Sequence, residues 1–381
     1  MPHYIGLMSG TSMDGVDAVA CEIAAGKNAP LRIKLLAHAA CGYPEKLKER
    51  LFKVAGPDGS AGEVCALNAE LGELFAKAAL KLMKHPALAG IKLAAIGSHG
   101  QTIRHMPQLG ATLQISSSAL IAARAKLPVW SDFRSADMAR GGQGAPLAPV
   151  IHLPLFGSAR ENVSVVNLGG VANITHIPAG AKSVKKLIAY DTGPGNMLMD
   201  YAVGRMGAGG FDKNGRIAAR GEVDEALLQR WLRFPYFRRK APKSTGREMF
   251  GGDVFFATAG APLRWDSNAV ATITELTARS IAGEIIKLGR LGRPTDMLVL
   301  CGGGAKNRYL AGRISALLKG IKVRTSDDLG APAQWIEGAL MALLAHYAAV
   351  GEPLDMSSIT GAHEGPALLG ALAPRPESAK D

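Results

Sequence analysis

Cysteine is scarce in this 381-residue chain: Cys21, Cys41, Cys65 and Cys301 stand far apart, and none belongs to a CxxC pair. That usage argues against a disulfide framework and against a zinc site, and predicts buried free thiols in a reducing compartment. No apolar run reaches the roughly 18 residues that a spanning helix needs, so no membrane segment is expected. The opening Met1-Pro2-His3-Tyr4-Ile5-Gly6 has no basic region followed by an apolar core, so it does not read as a signal peptide. Aromatic residues make up only 6% of the chain, and the net charge of +12 is scattered apart from one basic run at 233–243. Nucleic-acid binders concentrate basic charge on one face and interleave aromatics, so no nucleic-acid partner is expected. An excess of positive charge suits anionic small molecules, such as a nucleotide or an acidic sugar, and it also favours solubility. Four common signatures are missing as well: GxxxxGK[ST], a helix-opening GxGxxG followed by an acid, HExxH and GxSxG.

What is present is an α/β pattern. Hydrophobic residues make up 48% and charged residues 20%, and the length suits two or three domains. Val-, Ile- and Leu-rich segments alternate with longer helical patterns. Residues 4–8 and 16–23 read as two strands of a hairpin around a Gly/Ser/Thr turn. Residues 67–84 carry Leu67, Leu71, Leu74, Phe75, Ala78 and Leu82 at helical spacing. Short strands are expected at 93–97 and 129–132. A second set begins with strands at 163–168 and 172–177 around Gly169-Gly170. It continues with a helix at 269–288, a strand at 297–300 running into Gly302-Gly303-Gly304, and helices at 307–318 and 335–350. Two hairpins of one layout, about 160 residues apart, predict a duplicated lobe.

Three glycine-rich turns follow predicted strands: 9–15, 168–170 and 302–304. Without a Cβ, backbone N–H groups can converge on an oxyanion, and Ser or Thr hydroxyls add donors. One such turn usually does no more than turn the chain; three at strand ends predict phosphate cradles. Asp191 closes the apolar stretch 187–190 and precedes Thr192-Gly193-Pro194-Gly195-Asn196, which reads as a strand end entering a loop. The other reading is a cap for a helix beginning near Asn196. His99, Gln101, Asp132 and Arg134 lie just past strand ends, where they either meet a substrate or hold their loops. The forked donors of Arg134 suit a carboxylate. Glu337 lies on an apolar helix, where a solvent-facing position is the plain reading. The segment 242–247 follows no strand and reads as a basic surface loop or a substrate-side loop. His105, His152 and His176 read as ordinary loop or core histidines.

The order strand, phosphate turn, strand, repeated in a second lobe and followed by strand-GGG-helix, is similar to that of the actin, hexokinase and acetate kinase superfamily. Within it, the blocks 5–17 (IGLMSGTSMDGVD), 97–102 (GSHGQT), 132–134 with 141–147 (DFR, GGQGAPL) and 167–173 (NLGGVAN) resemble those of the anhydro-N-acetylmuramic acid kinase family. So do 191–196 (DTGPGN), 242–248 (PKSTGRE) and 301–307 (CGGGAKN). The blocks run in order over nearly the whole chain.

The resemblance implies an α/β fold of two actin-like (ribonuclease H-like) lobes with an interlobe cleft for nucleotide and substrate. The lobes are expected at 1–134 and 135–361, with the tail 362–381 returning to the first and fraying at its end. It also implies a cytoplasmic homodimer that uses ATP and Mg²⁺ on an amino sugar in cell-wall recycling. Such an enzyme opens 1,6-anhydro-N-acetylmuramic acid with water and phosphorylates it to N-acetylmuramic acid 6-phosphate. Gly10, Thr11, Ser12, Met13, Asp14, Gly15, Val16 and Asp17 would then form the first phosphate turn, although Asp14 and Asp17 also suit a plain turn-capping role. Gly169 and Gly170 would form the second, and Gly302, Gly303 and Gly304 the adenosine side. Asp191 would be the base that takes a proton from water. His99, Gln101, Asp132, Arg134 and Glu337 would face the sugar. The superfamily usually carries an Asp where Met8 stands here, and a thioether suits Mg²⁺ poorly, so the metal ligands stay unassigned. Two other readings stay open: another sugar or carboxylate kinase of the superfamily, and a non-catalytic actin-like nucleotide sensor.

Overall fold

The computed structural model describes residues 1–10, 12–26, 29–56 and 59–376. Thr11 and the last five residues of the tail lie outside the described residues. In chain order the strands are β1 (His3–Met8), β2 (Gly15–Gly26), β3 (Ala29–Gly42), β4 (Leu93–Ser98), β5 (Gln101–Met106), β6 (Ala111–Ile115), β7 (Val129–Ser131), β8 (Val163–Leu168), β9 (Val171–Ile177), β10 (Ile188–Pro194), β11 (Met297–Cys301), β12 (Lys322–Thr325) and β13 (Ala371–Ala373). The chain forms two compact units: Met1–Leu155 with Lys182–Lys185 and Gln334–Asp381, and Phe156–Ala181 with Lys186–Ala333.

The first unit is built on a sheet of order β13-β7-β4-β1-β2-β3, beside a small β5-β6 hairpin. The hairpin β1-β2 and its extension β3 are antiparallel, whereas β4 and β7 run parallel to β1. The second unit has the order β10-β9-β8-β11-β12, antiparallel through β8-β9-β10 and parallel from β8 to β11 and β12. The runs β3-β2-β1-β4-β7 and β10-β9-β8-β11-β12 therefore share one order and one set of strand directions, those of a ribonuclease H-like lobe. A parallel neighbour needs a crossover, and the helices Ala61–Met83 and Ser267–Arg290 lie within the two crossovers.

Each helix forms where an apolar stripe meets a capping residue. Ser60 Oγ accepts from Glu63 N at 3.2 Å, and Leu67, Leu71, Phe75 and Leu82 then pack on Ile5, Leu7, Ile96 and Val129. Asp266 Oδ1 caps the second crossover helix through Asn268 N and Ala269 N, at 3.0 and 3.1 Å. Val270, Ile273, Ile281 and Ile285 of that helix share a core with Val166, Leu298 and Leu300. The aromatics, few in the whole chain, concentrate here: Trp231, Tyr236, Phe250, Phe255 and Phe256 form one cluster of edge-to-face and tilted ring pairs.

The helix Ile336–Val350 is apolar almost all round and lies against the first sheet rather than in the second lobe, where the sequence blocks had assigned it. Gly6 and Gly97, paired in register on β1 and β4, make this possible. A Cβ on Gly6 would run into Gly338 O, and one on Gly97 into Met341 O. The expected break at 134 is likewise displaced, since the first unit continues to Leu155. The tail returns to this unit, with β13 pairing on β7. Strand β3 was not expected: Arg32, Lys34 and His38 break up its apolar pattern, as an edge strand allows. Nor are all the thiols buried. Cys21 and Cys301 are, Cys41 is half-buried, and Cys65 is exposed near the start of the helix Ala61–Met83.

Adding a methyl at Gly97 forces a helix off a close-packed sheet, and overpacking typically costs about 1–3 kcal/mol. Gly97→Ala should lower the unfolding free energy by that amount, read as a lower urea midpoint with little change in the denaturant slope.

Candidate functional site

In the first unit, the turn between β1 and β2 is tied from below. The buried Ser9 Oγ lies 2.7 Å from Gly15 O and 2.8 Å from Gln101 Oε1, and accepts from Tyr43 OH at 3.1 Å. Gln101 Nε2 donates to Gly10 O at 3.1 Å, so this side chain is spent on the turn. Met13 is buried with φ +57°, a left-handed conformation that a non-glycine residue adopts only when its surroundings impose it. Its N–H donates to Gly10 O at 3.2 Å. Ser12 and Asp14 are exposed, with no side-chain partner among the described residues. Val16 is buried on β2. Asp17 sits within β2 opposite Met8 rather than in the turn. Its Oδ1 lies 2.7 Å from His38 Nε2, and the His38 ring stacks on Trp335.

Close by in the same unit, His99 Nδ1 lies 2.9 Å from Gly100 O, which accepts its proton. Nε2 is thereby left to accept from Arg134 Nη2 at 2.9 Å. Burial first, and then the Arg134 charge, push the His99 pKa down to about 3, so the ring is neutral. Arg134 Nη1 donates to Gly144 O at 2.7 Å. Burial brings the Arg134 pKa down to about 10, against the pull of Glu337, and the guanidinium keeps its charge at neutral pH. Beneath it, the buried Asp137 accepts from Gly144 N at 2.8 Å and Thr360 Oγ1 at 2.7 Å, which locks the 141–144 loop. Glu337, in the first turn of its helix, is exposed, as a solvent-facing position would be. Desolvation and then Asp17 raise its pKa, while Arg134 opposes them. Asp132 is exposed, and at φ +54° its Oδ1 accepts from Ser135 N and Ser135 Oγ, at 3.2 and 2.7 Å.

In the second unit, the two other glycine turns come together. Gly195 N and Asn196 N each donate, at 2.8 Å, to Gly170 O and Gly169 O respectively. Gly302, at φ +80°, lies against Asn167 and Leu168, and Gly304 against Asn196 and Leu168. Beside them opens a cavity of ≈ 520 Å³ lined by Gly303, Gly304, Lys306, Asn307, Asn196 and Asp200, among others. That volume lies within the usual range for small-molecule sites. Asn307 is committed, since its Oδ1 caps the helix Arg308–Leu317 through Leu310 N at 3.0 Å. The Asp200 carboxylate has no side-chain partner among the described residues, and burial raises its pKa to about 6.

Asp191 lies inside β10, at a register shift between Asp191 and Gly193, and not at a strand end. Nor does it cap a helix: Met197–Arg205 begins after Asn196 with no side-chain cap. Its N–H donates to Lys243 O at 3.0 Å, its C=O accepts from Tyr236 OH at 2.8 Å, and its Oδ2 accepts from Thr245 N at 2.9 Å. Burial raises its pKa to about 6; the Thr245 N–H and Lys243 lower it in part, and Glu248 adds to the rise. Within 242–247, Pro242, Ser244 and Arg247 are exposed as in a surface loop, but Lys243 is buried against Glu284. Lys243, Thr245, Tyr236, Glu284 and Asp200 escaped the sequence reading. Glu284 left one trace, as a single acid in the apolar run Ile281-Ala282-Gly283-Glu284-Ile285. A carboxyl-carbon NMR titration of Asp191 should show a midpoint near pH 6. Glu248→Gln should move it down, because a repelling charge is removed.

Comparison with known proteins adds the following. The family model described as "Anhydro-N-acetylmuramic acid kinase" matches residues 2–375. Curated proteins of that description are similar over almost their full length. One from Cupriavidus pinatubonensis is 39% identical over 382 residues, covering 98% of both chains. One from Burkholderia mallei is 42% identical over 385 residues, covering 98% of this chain and 97% of the other. One from Gloeobacter violaceus is 41% identical over 367 residues, covering 94% and 95%.

Proposed function

The chain belongs to the anhydro-N-acetylmuramic acid kinase family, and from that premise we propose that it converts 1,6-anhydro-N-acetylmuramic acid, water and ATP into N-acetylmuramic acid 6-phosphate and ADP. The observation that carries the hydrolytic half is the Asp191 carboxylate. It is half-buried, one oxygen is held by Thr245 N–H, and Oδ1 has no protein donor among the described residues. A carboxylate held in this way can take a proton from water at neutral pH.

Water attacks the anomeric carbon as Asp191 takes its proton. The bond from that carbon to the bridging oxygen breaks, and the freed oxygen takes the γ-phosphoryl group while ADP leaves. The proton passes from Asp191 to solvent, so one carboxylate serves both halves. Phosphoryl transfer otherwise asks mainly for positioning and charge neutralisation. The family resemblance gives the 10–15 turn and Gly169-Gly170 the role of holding phosphate oxygens, and the cavity beside Gly303 and Gly304 suits the nucleoside. Of the first turn's oxygen donors, exposed Asp14 fits Mg²⁺ where Met8 does not, and Asp14 would hold the ion. The ion would supply neutralisation of phosphate charge. Arg134, with one N–H left on each terminal nitrogen, can grip the lactyl carboxylate, and Glu337 can meet the sugar. His99 and Gln101 support these groups from behind. This reading also gives a cytoplasmic homodimer acting in cell-wall recycling.

The test is incubation with Mg-ATP and the anhydro sugar in H₂¹⁸O, with early sampling. The product should gain one water and one phosphoryl group, with ¹⁸O at the anomeric carbon; phosphorylated product lacking that label would refute the coupling. Asp191→Asn should lower kcat by about 10²–10⁴-fold. Because the base must be ionised, wild-type activity should fall as pH drops through about 6. Arg134→Ala should raise the KM for the sugar, and an unchanged KM would remove it from the site.

A further inference from the structure

Behind Asp191 lies an ion pair that the chemistry above does not use. Lys243 Nζ donates to Glu284 Oε1 at 2.8 Å, and both side chains are almost wholly buried, at 2% and 7% exposure. Burying two charges costs several kcal/mol per ion, and well-packed apolar residues often serve stability as well or better. A pair kept in the core therefore invites a reason beyond stability.

We propose that Lys243 and Glu284 are positioning residues for Asp191: they pin the segment 242–248 against β10, so that the Thr245 N–H holds the carboxylate in register. This rests on the reading of Asp191 as the base. The contacts run in a closed path. Glu284 Oε2 accepts from Tyr190 OH at 3.1 Å, so the helix Ser267–Arg290 grips β10 one residue before Asp191. The Lys243 ammonium lies 4.7 Å from the centre of the Tyr236 ring, and the Tyr236 hydroxyl donates to Asp191 O. Lys243 O accepts the Asp191 N–H, and two residues further on Thr245 N reaches Oδ2. The side chain of residue 243 is thus fixed by charge, its carbonyl by β10, and the donor to the carboxylate follows on the same short segment.

Tyr190, within the path, feels the charges of Glu284 and Arg293. Lys243, Glu248 and Tyr236 face Asp191. Lys287, from the same helix as Glu284, lies 3.6 Å from Glu284 Oε1, and Arg239 adds positive charge near Lys243. Lys243 is the cation that favours the ionised carboxylate, whereas Glu248 opposes it.

The test is the full-length double variant Lys243→Met/Glu284→Met, which removes both charges and keeps roughly the volume. Its melting temperature should stay near that of the wild type, and so should its KM for ATP. A misplacement of about 1 Å at a reacting group can cost 10²-fold, so kcat should fall by about that factor. The acid limb of the pH–rate profile should move to higher pH, because the cation that favours ionised Asp191 is gone; a purely structural role would not move it. Wild-type kcat with an unmoved limb would overturn the proposal. Should the double variant fail to fold, Glu284→Gln decides: a kcat at least tenfold lower supports the positioning role, and an unchanged kcat sinks it. Asp191→Asn is run alongside. If it turns over like the wild type, the base reading falls and the positioning role with it. If it is inactive while the double variant is normal, only the positioning role falls.

Discussion

Gly6 and Gly97 stand side by side on neighbouring strands, and the backbone of the helix Ile336–Val350 lies where their side chains would have stood. The helix packs against β1, β2 and β4 at once. Each of these contacts ends at a candidate residue. β1 runs straight into Ser9 and Gly10, β4 into His99 and Gln101, and the helix carries Glu337 next to Gly338. One close approach therefore sets the relative height of the 9–15 turn, its Gln101 support and the acid beside Arg134. Side chains in a core can adjust by rotamer, whereas a backbone resting on backbone has almost no such freedom, and this makes the contact a gauge as well as a seal.

The second unit uses buried charge instead. Asp191 and Asp200 both feel desolvation, and both are pushed up to about 6. They differ in company. Asp191 sits under a backbone N–H and near a lysine that partly restore its acidity, whereas burial is the one cause acting on Asp200, in its cavity wall. Glu284 shows a third arrangement, a buried acid matched directly by an ammonium and a phenol. Low dielectric raises the stakes of every polar contact, so desolvation leaves one carboxylate under a single backbone N–H and another clamped by an ammonium and a phenol.

Much of the frame was legible in the sequence because it rests on periodicity. The strand–glycine–strand layouts at 4–23 and 163–177 became β1-β2 and β8-β9, and the apolar spacing of 67–84 and 269–288 became the two crossover helices. Glycine turns marked the loops, though not their closeness in the second unit, which follows from β8 and β11 pairing with Cys301 opposite Asn167. What stayed hidden was long-range and polar. No spacing rule links Lys243 to Glu284 or Thr245 to Asp191, since each pair meets only after the second unit has packed. Asp132 shows a local preference as well, one carboxylate oxygen holding Ser135 three residues away. The lobe limits misled because an all-apolar helix says that it is buried without saying against which sheet.

The first unit is assembled from the two ends of the chain, with most of the second unit's sequence lying between them. On the ribosome this reverses the customary order, in which the N-terminal domain folds first. When β1 to β7 have emerged, their glycine face and the open side of β7 still lack the helix Ile336–Val350 and β13. The stretch from Phe156 to Ala333, nearly continuous in sequence, can close on itself earlier. The N-terminal sheet must then wait, with apolar surface uncovered, for about 200 more residues, or some 10–40 s at usual elongation rates. During that interval the nascent chain is a natural client for a chaperone.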